Sequence, residues 1–67
     1  MEAYQERVIV EKNELDDKID KLRIFINSDN FGNSVPFDEQ KRMRRQELIM
    51  HLYSDVLADR ISAFYSA

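Results

Sequence analysis

Tyr4, Arg7 and Lys12 fall within the opening stretch "AYQERVIVEK". An aromatic ring, a guanidinium three residues on and an ammonium five residues further suit a nucleotide. A tyrosine ring is a platform on which a base stacks, worth about 1–3 kcal/mol per base. Arginine and lysine beside it hold phosphate oxygens, the planar guanidinium two at a time. Two copies meeting across a twofold axis would offer two rings and two sets of cations, the complement of a cyclic dinucleotide. The plainer reading is the start of an amphipathic helix, with Tyr4 in a core and Arg7 paired to Glu11.

A second cationic group is "KRMRRQ", residues 41–46. On a helix Lys41, Arg44 and Arg45 share one side and Arg42 points elsewhere. Either this is a solvated turn balanced by Asp38 and Glu39, or it is an anion site. In an oligomer, arginines from several subunits would gather around a symmetry axis.

Catalytic constellations fare worse. His51 has Asp55 one turn on and Ser54 nearby, but one helix does not make a nucleophile, base and orienting group converge. The carboxylates lie along the polar face of the first helix, where nothing buries them to split their pKa values. "DNFGN" is too short for a calcium loop and lacks its terminal glutamate, and no glycine-rich phosphate cradle is present. With no cysteine and one histidine, no metal site is expected. The expectation is a protein that is not an enzyme and carries no cofactor.

The elements that must position these side chains follow from the apolar pattern. Tyr4, Val8, Leu15, Ile19, Leu22 and Ile26 recur at steps of three and four with a gap at Glu11, a helical stripe of nearly coiled-coil period. Glu6, Asn13, Asp16, Asp17, Asp20 and Lys21 make the opposite, polar face. Glu14–Lys18 and Asp17–Lys21 are acid-then-base pairs four apart, each worth roughly 0.2–0.5 kcal/mol. A helix over about 3–27 results. "NSDNFGNSVP" is turn chemistry and predicts a connection over about 28–35, closed by Gly32 in the left-handed conformation, with Phe31 and Val35 tucked against the tip. Pro36, Asp38 and Glu39 suit the first turn of a second helix over about 36–65. Its first stripe is Met43, Gln46, Met50, Tyr53, Leu57, Arg60 or Ile61, and Phe64; its second is Ile49, Leu52, Val56 and Ala63. Two stripes make an apolar face too wide for one partner helix. The predicted fold class is all-α: a hairpin of two long antiparallel helices that assembles into an oligomeric bundle.

Composition sets the remaining bounds. Sixty-seven residues make a single domain, here 1–67, and a net charge of −3 argues against a DNA or RNA polymer as partner. No apolar run approaches the ~20 residues of a membrane span, and "MEAYQER" lacks the start of a signal peptide. A soluble protein of the cytoplasm, with no membrane partner, is expected.

The run "YQERVIVEKNELDDKIDKLRIFINSDNF", followed by a proline-and-acid start and then "RRQELIMHLYSDVLADRISAF", resembles the helical hairpin domain of phage anti-CBASS cyclic-nucleotide sponges and the related part of an anti-Thoeris sponge. The combination of "YxxRVxxEKxxLDxKIxKL" with "FIxSDxF" carries the resemblance. It implies a homo-oligomer, commonly a hexamer, that binds cyclic di- and trinucleotide messengers of bacterial immunity in the host cytoplasm and does not cleave them. It also implies pockets between protomers. Tyr4, Arg7, Lys12 and Lys18 would serve a dinucleotide pocket, and Arg44 and Arg45 a trinucleotide pocket near a threefold axis. The alternative is a helical adaptor that docks another protein on Ile49, Leu52 and Val56 of its second helix.

Overall fold

The computed structural model describes residues 1–66. A first helix, α1, runs Ala3–Ile26; a short second, α2, Asp29–Ser34; and a third, α3, Phe37–Phe64. The long helices α1 and α3 pack against each other along their lengths as a hairpin, a rod of 50 × 15 × 14 Å. No helix among the described residues is long and apolar enough to cross a membrane.

The three-four spacing of α1 turns Val8, Leu15, Ile19 and Ile26 inward, all buried. Leu57 of α3 fills the centre at 1% exposure, with Met50, Ile61 and Phe64 packed around it. The inward stripe of α3 is therefore Met50, Ser54, Leu57, Ile61 and Phe64. Ser54 takes the place predicted for Tyr53, which stays 44% exposed, because seven-residue spacing from Ser54 to Ile61 matches two helical turns more closely than Tyr53 to Ile61.

The tip departs from expectation. Gly32 is not left-handed: no described residue has positive φ, and the segment winds into α2 instead of a plain turn. The physical reason is Phe31. Its ring is 2% exposed, meets Phe25 edge-to-face with centroids 5.8 Å apart, and lies 5.1 Å from the Arg44 guanidinium. One helical turn is what brings Phe31 inward, and Val35 is half-buried behind it. The Ser28 hydroxyl donates to the Phe25 carbonyl at 2.6 Å and the Gln40 amide to the Val35 carbonyl at 2.8 Å, satisfying acceptors at the bend. Pro36 then stands just before α3, whose first turn carries Asp38 and Glu39.

The predicted polar face of α1 is corrected at Asp16, which turns toward α3. Of the predicted ion pairs, Asp17–Lys21 forms at 2.9 Å, well exposed and so worth a few tenths of a kcal/mol, roughly 0.2–0.5. Glu14–Lys18 and Arg7–Glu11 do not form among the described residues; Lys12 pairs with Asp16 instead, at 2.7 Å.

Candidate functional site

The packed stripe divides the hairpin into two seams. At about 100° per residue, Lys12 lies about 140° around α1 from Arg7, so the cations of the opening stretch belong to different sides. Contacts across the hairpin agree: Tyr4 meets Phe64, whereas Lys12 meets Ser54.

On the first seam, the Tyr4 and Phe64 rings are edge-to-face, centroids 5.9 Å apart and planes at 88°. That contact fixes the tyrosine while leaving it 52% exposed. Arg7 and Lys18 are exposed on the same flank of α1 and make no ion pair among the described residues. A ring held at its edge with a guanidinium one turn on can stack on a planar group and neutralise an anion.

The second seam is self-satisfied. Lys12 Nζ donates to Asp16 Oδ2 at 2.7 Å and to Ser54 Oγ at 3.0 Å. Ser54 Oγ in turn donates to Asp16 Oδ1 at 2.6 Å. The triangle is closed and directional: the lysine donates twice, the serine accepts once and donates once, the carboxylate accepts twice. The Lys12 hydrogen bond, then that of Ser54, holds the Asp16 carboxyl below its usual 3.8, against a smaller upward push from burial. One ammonium N–H of Lys12 remains, on a side chain 25% exposed. Nearer the tip, Arg23 Nη2 lies 2.8 Å from His51 Nε2. A guanidinium only donates, so the imidazole accepts through Nε2 and carries its proton on Nδ1.

The cations of α3 lie toward the tip. Arg44 covers Phe31, and Lys41 Nζ lies 4.6 Å from the Phe37 ring centroid. Arg42 pairs with Glu39 at 2.6 Å, and Arg45 is exposed. Thus Tyr4 and Arg7 lie within one turn of each other, while Lys18, on the same flank of α1, stands about 21 Å along the axis from Tyr4. Lys12 faces the other seam, and Arg44 and Arg45 stand near the opposite end of the rod from Tyr4.

An open depression of about 490 Å³ lies on the outer side of α1, lined by Ala3, Glu6, Arg7, Val10, Glu11 and Glu14. Three carboxylates against one guanidinium make it unsuited to phosphate. The sequence-predicted residues omitted Asp16 and Ser54. The sequence reading set Tyr53 rather than Ser54 in the stripe of α3 and Asp16 on the polar face of α1, so neither was singled out.

Beyond the seams, the chain presents a strip of exposed apolar side chains on α3: Leu48, Ile49, Leu52 and Val56, at 60, 57, 57 and 56% exposure. These four side chains form one contiguous apolar face that the hairpin itself leaves uncovered.

Comparison with known proteins bears on this arrangement. The model of one protein family, described as Sequestin, matches residues 2–63. No curated protein and no solved structure matches the chain. The chain belongs to the Sequestin family.

Proposed function

We propose that this Sequestin-family chain is a sponge: a homo-oligomer, in the bacterial cytoplasm, that binds cyclic di- or trinucleotide immune messengers and withholds them uncleaved. Family membership supports a sequestering role. The observation that carries the ligand class is the half-exposed Tyr4 ring braced by Phe64 with Arg7 one turn on; Lys18, about 21 Å along α1, joins that pocket only from a neighbouring protomer. The ring stacks on a base; Arg7 and Lys18 neutralise phosphates. Lys12, facing the other seam, joins that pocket only when a neighbouring protomer supplies it. Arg44 and Arg45 from several subunits form the second, phosphate-binding site for a trinucleotide. The strip of Leu48, Ile49, Leu52 and Val56 covers itself by assembly, a hexamer being the expected form.

Sequestration works by number, so each pocket must hold its messenger at nanomolar dissociation constants or tighter, about −12 kcal/mol. Titration calorimetry against a panel of cyclic di- and trinucleotides tests the reading. Tight binding to one class, with its products recovered intact after heat denaturation, is expected. Neither heat nor thermal stabilisation from any member of the panel would overturn it.

The same exposed strip favours a second reading, an adaptor that docks an amphipathic helix of another protein. A monomer in sedimentation that binds no cyclic nucleotide would favour it over the sponge.

A further inference from the structure

The apolar seam of this hairpin is close to self-similar. Val8, Leu15, Ile19, Leu22 and Ile26 repeat along α1 at helical steps, as do Met50, Leu57, Ile61 and Phe64 along α3. Sliding one helix along the other by four residues, about 6 Å, again sets apolar side chains against apolar side chains. Packing of this kind tolerates exchange of one aliphatic contact for another, so by itself it discriminates weakly between the two alignments.

Ser54 does discriminate. It is the buried polar side chain among the described residues, and both of its hydrogen-bond partners belong to α1. After a one-turn slide its hydroxyl is displaced about 6 Å along α1 from the level between Lys12 and Asp16 and loses at least one of its two partners, a cost for a buried polar group. The Lys12–Asp16 pair is internal to α1 and survives the slide, so its position on the helix becomes a fixed mark that Ser54 reads; the other side-chain hydrogen bond between the long helices among the described residues, Arg23–His51, is exposed. The geometry points to Lys12, Asp16 and Ser54 as a register lock: positioning residues that set how far α3 is advanced along α1. A single polar contact in an apolar helix interface is known to select one alignment at some expense of stability. Through that alignment the lock places Phe64 against Tyr4, which a slide of one turn would separate. Phe31 ties the tip of the hairpin, but at the end of the rod remote from Tyr4. The lock sits between them. This inference concerns the chain's own geometry and does not depend on the sponge reading.

The chain lacks cysteine, so two nitroxide labels can be placed uniquely, at Glu6→Cys and Lys41→Cys. These exposed positions lie toward opposite ends of the rod, so a slide along the axis appears almost fully in their separation. The labelled chain is co-refolded with excess unlabelled chain and measured by double electron–electron resonance. With the triangle intact a single narrow distance is expected. In the triple variant Lys12→Met, Asp16→Ala, Ser54→Ala, a second population displaced by about 6 Å is expected. A single narrow distance in the helical triple variant would show that the connection alone sets the alignment, and overturns the inference. Should the triple variant lose its helical circular dichroism, Ser54→Ala alone carries the test, with the same two outcomes.

Discussion

The ring of Tyr4 meets that of Phe64 edge-to-face, centroids 5.9 Å apart, at the open end of the hairpin. A residue in the first turn of one helix is thereby held by a residue at the last turn of another, while 52% of the tyrosine stays exposed. Tyr4→Ala should lower stability by about 1 kcal/mol, the scale of an aromatic pair at a partly exposed site. For a chain of this size that is a fall of roughly 4–8 °C in Tm. Tyr4→Phe keeps the ring contact and should stay within about 0.5 kcal/mol of the parent. Thermal unfolding followed by circular dichroism measures both, and equal losses in the two variants would show that the hydroxyl, not the ring, does the holding.

The hairpin itself was legible in the sequence, because Val8, Leu15, Ile19, Ile26 and Leu57 announce their burial by spacing alone. The tip was not. "NSDNFGNS" is composed of turn formers, and local propensity reads it as irregular; only the packing of Phe31 on Phe25 and beneath Arg44 makes it helical. The separation of Lys12 from Arg7 was legible in principle, since it follows from the helical repeat. The partnership of Ser54 with Asp16 was not, because it depends on how far α3 is advanced along α1, which no pattern within either helix encodes.

Gly32 offers a direct check on the structure of that tip. It lies inside α2 with ordinary backbone angles, and an added Cβ would meet nothing within 4 Å. Gly32→Ala should therefore stabilise the chain by about 0.4–1 kcal/mol, by restricting the unfolded state and favouring the helix. A glycine in the left-handed conformation would respond in the opposite sense. Denaturant unfolding separates the two, and a loss of stability would contradict the helical tip.

Asp16 makes a pH-dependent contribution whose sign is fixed by its surroundings. Its carboxyl is held below the usual 3.8 by the Lys12 and Ser54 hydrogen bonds, so the folded state binds a proton less readily than the unfolded one. The contribution is fully present above the unfolded value and is lost as pH falls below 3.8 through the folded value. The side chain is 42% exposed, so solvent screens the ion pair and the effect is modest. Asp16→Asn should be less stable than the parent at neutral pH, with the difference shrinking as acid protonates the parent. Unfolding curves at neutral pH and in acid compare the two; a difference independent of pH would mean that the carboxylate charge contributes nothing.

Leu57 and Leu52 lie on the same helix and differ in what covers them. Leu57 is 1% exposed at the centre of the core, and Leu57→Ala should cost about 2–5 kcal/mol through lost transfer energy and the cavity left behind. In a chain of 67 residues that is enough to abolish folding. Leu52 is 57% exposed in the hairpin, so in an isolated subunit Leu52→Asp should change stability by no more than about 0.5 kcal/mol. In an assembly that buries the strip of Leu48, Ile49, Leu52 and Val56, the same carboxylate is placed in an apolar interface and must be desolvated there. The expected outcome is a parent chain that sediments as an oligomer and whose Tm rises with concentration. The Leu52→Asp chain should sediment as a lighter species, with that dependence weakened or gone. Sedimentation velocity across a concentration series decides it. A Leu52→Asp chain that assembles as the parent does would remove this strip from the interface, and with it the physical argument that the hairpin's apolar surface is what drives copies together.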